Sequence, residues 1–277
     1  MTGRALTEVA AGVFVAESEI WASNTVVVVV DDGGSALLVD PGITAAELEG
    51  LAGEFRARGL RVAAGAATHP HWDHVLWHAG LGEVPRFASA RGHAVLEADR
   101  ARSWREASEA APGLDEALFG VLSALPDDAD ELPPPAPSGI AVVRHDAHAP
   151  GHLAFAAGSS LLVGDMLSQR EVPLLDVGHA GEPRVPPVDP VGDYRAALDV
   201  LEGEARRRGA DVLVPGHGPV TRGAAAIAEL FARDRAYLDA LEREAAGGER
   251  ADDPRLADEW VAAQHAVHLD RLRSLAG

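Results

Sequence analysis

The segment T-H-P-H-W-D-H at residues 68–74 concentrates side chains that bind metal ions. Imidazole and carboxylate groups together suit zinc, iron or manganese. In an extended segment, side chains two residues apart point to the same side, and the proline between the first two histidines favours an extended backbone. We therefore expect His69 and His71 to converge on one ion. If a helix begins next, Asp73 and His74 point away from that pair and could hold a second ion.

The residue inventory excludes several kinds of chemistry. The chain has 277 residues and contains no cysteine and no lysine. Without cysteine there is no disulfide framework, no thiolate nucleophile, no Cys-type zinc finger and no iron–sulfur cluster held by the chain's own thiolates. Without lysine, Schiff-base chemistry with pyridoxal phosphate and Walker-type nucleotide hydrolysis are excluded. Any active chemistry therefore uses other residue types.

Charge and hydropathy narrow the partners. A formal net charge of −19 repels a phosphate backbone, so we expect no nucleic-acid partner. The longest apolar run, residues 26–30, is too short to cross a bilayer, so we expect no membrane association. Residues 1–17 lack the basic start, apolar stretch and cleavage site of a signal peptide. We expect a cytoplasmic protein that acts on a small-molecule substrate, with C-terminal helices that could support a homodimer.

Strands and helices alternate in an order that would position these side chains. Strands are predicted at residues 13–16, 25–30, 36–39, 62–67, 140–143, 153–157, 161–163 and 212–214. Helices are predicted at residues 44–59, 89–110 and 193–208 and in two segments towards the C-terminus. The D-D-G-G sequence at 31–34 predicts a hairpin turn, residues 127–139 predict a surface linker, and residues 166–190 predict a long loop. Two halves, each of strands followed by helices, are typical of a layered α/β arrangement.

Three later motifs extend the metal-binding pattern in a fixed order. They are P-G-H at 150–152, L-V-G-D at 162–165 and V-P-G-H-G at 214–218. With the first motif they resemble the metallo-β-lactamase superfamily, whose signature is T-H-x-H-x-D-H after a strand, then a lone His, an Asp closing a strand and a final His before a turn. The resemblance covers residues from about 24 to 220. It implies an α+β fold, a four-layer αββα sandwich, as one domain over residues 1–277 with C-terminal helices from about residue 223.

For this chain, the resemblance implies a site for two divalent metal ions. Zinc is the expected metal, and iron and manganese are alternatives. The ligands implied for one ion are His69, His71 and His152. Those implied for the other are Asp73, His74 and His217. Asp165 is implied to bridge the two ions. Asp40 matches a position that supports the ligands, although D-P-G at 40–42 also forms a turn by itself.

The resemblance implies a binuclear metal-dependent hydrolase, which cleaves an ester, lactone or thioester of a small organic substrate with a metal-bridging hydroxide. Asp73 is then the catalytic residue that orients the hydroxide or moves a proton. The lack of cysteine and the bridging Asp165 favour the branch with glyoxalase II, lactonases and metal-dependent phosphodiesterases over antibiotic-destroying members with a Cys ligand. Three alternatives stay open: a phosphodiesterase acting on a small nucleotide or cyclic phosphate, an iron-dependent oxidoreductase of the same fold, and a non-catalytic metal-binding protein.

Apolar side chains near the motifs are candidates for a substrate pocket. They are Trp72, Met166, Leu167 and Leu174. Ordinary core packing is the competing interpretation, and it is stronger for the tryptophan. His145 and His148 precede the P-G-H motif closely and are candidates for supporting the ligands. His78 is better interpreted as a solvated or core-edge histidine.

Overall fold

The computed structural model describes residues 5–30, 33–177 and 187–276. Within these ranges the strands form two sheets. The first sheet contains β1 (Thr7–Ala10), β2 (Val13–Glu17), β3 (Asn24–Val29), β4 (Ser35–Val39), β5 (Arg61–Ala66), β6 (Arg86–Ser89) and β7 (Ser123–Leu125). The strands lie side by side in chain order. Pairing is antiparallel from β1 to β4 and parallel from β4 to β7.

The second sheet is formed by strands from the later half of the chain. It contains β8 (Ile140–His145), β9 (His152–Ala157), β10 (Ser160–Gly164), β11 (Val212–Pro215) and β12 (Thr221–Arg222). Its spatial order is β12-β11-β10-β9-β8. The β10–β11 pair is parallel and the other pairs are antiparallel. The mixed sheets confirm the α+β class.

The helices are α1 (Ala45–Arg58), α2 (Ala90–Ala110), α3 (Pro190–Arg208), α4 (Ala224–Ala245) and α5 (Glu259–Ala276). The predicted start and end of the first helix are confirmed: Thr44 accepts the Glu47 N–H at 3.1 Å in a capping box, and Gly59 ends the helix at φ 67°. None of the helices in the described ranges is both long and apolar enough to cross a membrane.

The two sheets pack face to face, with helices on both outer faces. Alternate residues of β3 show the arrangement, since Val26 and Val28 lie in the core between the sheets while Val27 lies in the core under α1 and α2. Phe155 of the second sheet lies in the same inter-sheet core. The outer face of the second sheet packs against α3, α4 and α5 through side chains such as Leu198. The predicted four-layer αββα sandwich is confirmed.

Several local predictions need correction. The interpretation of residues 127–139 as a surface linker was wrong in part, because Leu132 and Ala136 are buried in the inter-sheet core. The Leu132 N–H donates to the Ile140 carbonyl at 3.2 Å, which holds this segment against β8. In the predicted 31–34 turn, Asp31 and Asp32 lie outside the described residues, as do residues 178–186 of the predicted long loop.

Candidate metal centre

Four strand ends meet at one edge of the sandwich. Asp40 follows β4, His69 comes shortly after β5, Asp165 follows β10 and His217 lies just beyond β11. In each sheet the two strands concerned are parallel neighbours, so their carboxyl ends lie on the same side. An antiparallel bridge between Ser23, which precedes β3, and His217 joins the two sheets here. Side chains far apart in sequence are thereby brought together.

Glycines precede two of these residues and make room for the site. Gly164, before Asp165, has φ 55°, and a Cβ there would lie 2.5 Å from His152 Nε2. A Cβ on Gly216, before His217, would lie 2.0 Å from Asp165 Oδ1. Neither position tolerates a side chain. The glycines in the L-V-G-D and V-P-G-H-G motifs therefore allow the ends of β10 and β11 to approach each other.

One group of potential ligands comprises His69, His71, His148 and Asp165, which we call the trihistidine cluster. One ligand atom from each lies within 4.8 Å of the others. His71 Nδ1 is 2.9 Å from His69 Nε2 and 3.1 Å from His148 Nε2. Asp165 Oδ2 is 3.5 Å from His69 Nε2 and 3.3 Å from His148 Nε2. Four potential ligand atoms therefore surround one point.

Hydrogen bonds on the far side of two rings aim their other nitrogens into the cluster. The Thr68 hydroxyl, which donates to a carboxylate, accepts from His69 Nδ1 at 3.0 Å. The Leu174 carbonyl accepts from His148 Nδ1 at 3.1 Å. In the neutral rings, the Nε2 atoms of both histidines are then unprotonated acceptors. His71 Nδ1 carries at most one proton and can donate to only one of these two Nε2 atoms. At least one nitrogen of the cluster is therefore available to a metal ion.

The second group comprises Asp73, His74 and His217, which we call the Asp–His–His cluster. Asp73 Oδ2 is 3.3 Å from His74 Nε2 and 3.4 Å from His217 Nε2. Asp165 also reaches this cluster, with Oδ1 3.3 Å from His74 Nε2 and Oδ2 3.2 Å from His217 Nε2. Asp73 and His74 lie in a 3-10 turn directly after the first two histidines. Asp165 therefore lies between the two clusters, where a bridging ligand would be.

Asp40 supports side chains of both clusters through hydrogen bonds. Its Oδ1 accepts the Thr68 N–H at 2.8 Å, and its Oδ2 accepts the Thr68 hydroxyl at 2.6 Å and His74 Nδ1 at 2.9 Å. The residue adopts φ 47°, a left-handed conformation that Asp tolerates better than most residues. Asp40 therefore fixes the orientation of His74 directly and that of His69 through Thr68.

Unsatisfied polar atoms test whether the residues fit a metal ion. His152 Nε2, His74 Nε2 and Asp165 Oδ1 are buried and make no well-aligned hydrogen bond among the described residues, although the last two atoms lie 3.3 Å apart. Each such atom costs about 1–3 kcal/mol when it is left unpaired. A divalent cation between the strand ends would satisfy them. The donor set, imidazole nitrogens and carboxylate oxygens, suits such an ion.

The electrostatics of the site favour a cation. Burial lowers the pKa of His71 to about 3 and holds the pKa of His69 well below its usual value, so both rings are neutral potential ligands. Burial would also lower the pKa of His74, but the carboxylates of Asp73 and Asp165 raise it well above its usual value. A negative potential that favours a proton on this ring favours a dication in the same place.

His152, the third histidine expected from sequence, lies beside the trihistidine cluster rather than among its four members. Its ring centroid is 4.9 Å from that of His69. His152 begins β9 and pairs across the sheet with His145 in β8, which places its Nδ1 3.0 Å from His145 Nε2. His145, a candidate for this position from its place in the sequence, thus supports His152, and the Nε2 atom of His152 has no hydrogen-bond partner among the described residues. The assignment of His152 as a ligand stays a prediction.

His148 is a further histidine in the cluster that the sequence analysis expected only in a supporting position. It lies in the turn between β8 and β9 with φ 65°, and its ring reaches His71. It also lines the open space above the clusters. The spacing of His148 and His152 along the chain did not indicate that both rings would approach His69, because that depends on how the turn folds back.

Comparisons with known proteins agree with this geometry. The sequence model of the Metallo-beta-lactamase superfamily matches residues 20–217. The chain belongs to this superfamily. No curated protein matches the chain.

Solved structures of this superfamily share the fold. A beta-lactamase domain protein from Burkholderia ambifaria is 22% identical, with a TM-score of 0.65 over 98% of this chain and 89% of that one. A metallo-beta-lactamase family protein from Thermus thermophilus is 23% identical, with a TM-score of 0.64 over 96% of this chain and 95% of that one. A stereoselective inverting sec-alkylsulfatase from Pseudomonas sp. is 16% identical, with a TM-score of 0.61 over 88% of this chain and 43% of that one. At these identities the likeness shows the fold alone.

A cavity of about 700 Å³ opens over the two clusters. Of the predicted pocket residues, Trp72 and Leu174 line it. Met166 and Leu167 do not, because both are 1% exposed and pack in the core between the second sheet and its helices. Trp21, which the sequence analysis missed, also lines the cavity, with its ring 5.5 Å from that of Trp72.

The C-terminal helices lie beyond the superfamily match, yet they hold the loop that follows Asp165. Arg255 Nη1 donates to the Glu171 carbonyl at 2.8 Å and to Asp234 Oδ1 at 2.7 Å. His268 Nε2 accepts the Leu175 N–H at 3.2 Å. The same loop carries the Leu174 carbonyl that orients His148. No motif indicated these contacts, because a single arginine in the 3-10 turn between α4 and α5, or a single histidine on α5, carries no recognisable pattern.

Proposed function

We propose that this protein is a hydrolase that binds two divalent metal ions and cleaves an ester, lactone or thioester bond of a small organic substrate. Zinc is the metal that we favour. The observation that carries the proposal is the convergence of five histidines and two aspartates on the floor of an open cavity of about 700 Å³. A structural metal site is normally closed by protein ligands, whereas a catalytic site keeps a position open to substrate. The glyoxalase II and lactonase branch of the superfamily is the one we favour.

The ligands we propose keep the set expected from sequence. The residues that would hold one ion are His69, His71, His152 and Asp165. Those that would hold the other are Asp73, His74, His217 and Asp165. When bound, divalent ions would supply a water nucleophile active at neutral pH and would polarise the scissile carbonyl.

His152 is preferred to His148 because of its unpaired nitrogen. Burial holds the pKa of His152 well below its usual value, so the ring is neutral. With His145 on Nδ1, the Nε2 atom has no hydrogen-bond partner in the described part of the chain and is available to an ion. His148 instead lines the cavity, where its ring can contact a substrate. We therefore assign His152 to the metal and His148 to the substrate side of the cluster.

Asp73 is the group we assign to proton handling. Burial would raise the pKa of its carboxyl group, but His74 and His217 hold that pKa far below its usual value, so the group is ionised. Asp73 also lines the cavity, where its carboxylate can orient water or accept a proton. Trp72 and Leu174 cover the reacting groups with apolar surface and exclude bulk water.

The cavity walls favour an acyl substrate over a phosphodiester. Besides the potential ligands, the acidic residues that line the cavity are Asp99, Glu106, Glu171, Asp176 and Asp258. The basic residues that line it are Arg102 and Arg170. The excess of carboxylates, together with the net charge of −19, disfavours a phosphate-bearing substrate. Nucleic acid is therefore not a partner we propose.

A matched hydrolysis panel tests the proposal. The metal-loaded protein is assayed on lactones, thioesters, simple esters and phosphodiesters, each with a chelated control. We expect chelator-sensitive turnover of acyl substrates, abolished in His71→Ala and kept in His93→Ala, whose histidine on α2 lies outside the cavity. Turnover of phosphodiesters alone would contradict the substrate class. Absence of chelator-sensitive turnover on every substrate would contradict the hydrolase.

A further inference from the structure

Two helix faces of unlike chemistry form parts of the cavity lining. The residues of α2 that line it are Asp99, Arg102, Ser103 and Glu106. The residues of α5 that line it are Trp260, Val261, Gln264, Val267 and His268. Both sets are spaced as one face of a helix. The α2 face is charged, and its Arg102 and Glu106 pair with each other at 2.9 Å, whereas the α5 face is mainly apolar.

The apolar part of the lining is open to solvent. Trp260 is 49% exposed, and Trp21, which lies beside His217 with ring centroids 6.4 Å apart, is 51% exposed. Large aromatic side chains bury apolar area with little loss of conformational freedom, which makes them effective contacts for a ligand. Two half-exposed indoles in one cavity therefore indicate a ligand with an apolar body.

The size of the cavity sets the size of that body. Pockets of about 300–1,000 Å³ enclose drug-sized ligands. An acetyl group would leave most of this cavity of about 700 Å³ filled with water and would not reach far beyond the clusters. A ligand that fills the cavity reaches from the clusters to the face of α5.

The charged residues near the α5 face determine which charge the far end of the ligand can have. Asp258 precedes α5, and Asp176 and Glu171 also line the cavity. Arg170 lies elsewhere, with its side chain against Gly218 beside His217. A carboxylate at the far end of a substrate would therefore meet carboxylates, and no arginine is among the residues of α5 that line the cavity. His268, which does line it, is buried and accepts the Leu175 N–H through Nε2.

We propose that the substrate carries an extended apolar acyl group without a negative charge, and that the α5 face, with Trp260 at its start, selects this group. The proposal rests on the hydrolase proposed above and names its substrate class. It also assigns a function to a helix that lies outside the superfamily match at residues 20–217. The acyl bond lies over the clusters, and the chain runs along α5.

An ester series measures the selection. Chelator-sensitive kcat/KM is determined for p-nitrophenyl acetate, butyrate, hexanoate and octanoate. Burial of each added methylene should raise kcat/KM by about three- to fourfold until the cavity is filled. In Trp260→Ala the octanoate-to-acetate ratio should fall by about tenfold, since this residue is an aromatic contact. Leu275→Ala is the matched control, because Leu275 lies on the same helix, is 39% exposed and does not line the cavity.

A charged ester tests the second part of the proposal. The mono-p-nitrophenyl ester of octanedioic acid has the same number of carbon atoms in its acyl group as the octanoate ester, with a carboxylate in place of the terminal methyl group. We expect its kcat/KM to be at least about tenfold lower than that of the octanoate ester, in keeping with the cost of juxtaposing like charges. Equal rates for the two esters would overturn the exclusion of a negative charge.

A binding measurement separates failure of this proposal from failure of the proposed function. Dissociation constants of 2-butanone, 2-hexanone and 2-decanone, which cannot be hydrolysed, are measured by calorimetry on the wild type and on Trp260→Ala. Tighter binding with length, reduced in the variant, supports the apolar acyl site even if no ester is cleaved. Cleavage of all esters with no dependence on chain length, or an unchanged ratio in Trp260→Ala, would overturn this proposal while the hydrolase stands.

Discussion

The trihistidine cluster and the Asp–His–His cluster share Asp165 but depend on different parts of the molecule. In the trihistidine cluster, His148 is oriented by the Leu174 carbonyl, and that loop is held in turn by Arg255 from the C-terminal region. In the Asp–His–His cluster, His74 is oriented by Asp40 at the end of β4. His217 is fixed at the end of β11 by its bridge to Ser23. One cluster thus depends on a loop and its helical support, and the other depends on the ends of the sheets.

Removal of the shared carboxylate should affect both clusters and give the largest effect. Because Asp165 approaches histidines of both groups within 3.5 Å, we expect Asp165→Ala to lower metal content well below that of the wild type and to abolish turnover. Elemental analysis by mass spectrometry measures the metal content. Asp252→Ala, which removes an exposed carboxylate, is the control. Unchanged stoichiometry in the Asp165 variant would remove this residue from the site.

Loss of the charge on Asp73 should affect the reaction more than the fold. Asparagine keeps the size of the side chain but cannot take up a proton, so Asp73→Asn should lower kcat by about 10²- to 10⁴-fold. Thermal unfolding of the chelated proteins shows whether the fold is intact, and we expect similar melting temperatures. A fully active Asn variant would show that Asp73 does not handle a proton.

The two histidines that flank the start of β9 separate metal binding from substrate contact at the trihistidine cluster. We expect His152→Ala to remove one ligand and weaken the binding of one ion, whereas His148→Ala should keep both ions and lower kcat/KM. Competition with a chromogenic chelator measures the affinities. Because His152 is fully buried, its removal should also lower the free energy of unfolding by about 2–4 kcal/mol, so unfolding is followed in parallel. The reverse pattern, with an ion lost only in His148→Ala, would make His148 the ligand.

The substitution Asp40→Asn should weaken metal binding at the Asp–His–His cluster more than at the trihistidine cluster. The amide of Asp40→Asn can accept from one group but cannot take the place of a carboxylate beside His74 Nδ1. Loss of such a supporting carboxylate typically costs 10- to 100-fold in metal affinity. Stepwise titration of the metal-free protein should show one weakened binding step of this size. Equal weakening of both steps would show that the contact of Asp40 with Thr68 matters as much as its contact with His74.

The smallest effect on the reaction should come from substitution of Arg255, which supports the site from the greatest distance. Arg255→Lys keeps the positive charge beside Asp234 but loses the planar group that contacts the Glu171 carbonyl. Because the loop after Asp165 orients His148, we expect a few-fold lower kcat/KM and no change in metal binding at the Asp–His–His cluster. Arg206→Lys, in an exposed helix pair, is the matched control. A loss of stability without a change in kcat/KM would restrict Arg255 to a structural role.

Local patterns in the sequence predicted much of this protein. The T-H-x-H-x-D-H segment, the strand alternation and the cap at Thr44 follow from interactions between near neighbours, so a short stretch of chain is enough to specify them. The order of the four motifs was sufficient to predict the superfamily and, with it, the four-layer fold. These features are fixed by side-chain sterics and backbone hydrogen bonds within a few residues.

Long-range pairing decided the rest. Strand pairing sets His152 against His145, and the turn before it brings His148 into the cluster. Packing against the second sheet buries Met166, which had been expected in the pocket. The contribution of α5 to the cavity also depends on how helices dock on the sheet. The sequence by itself determined which ligand types are present and the elements that bear them; only the tertiary structure decided that a further histidine and a C-terminal helix face the site, because those directions are set by contacts between residues far apart in the chain.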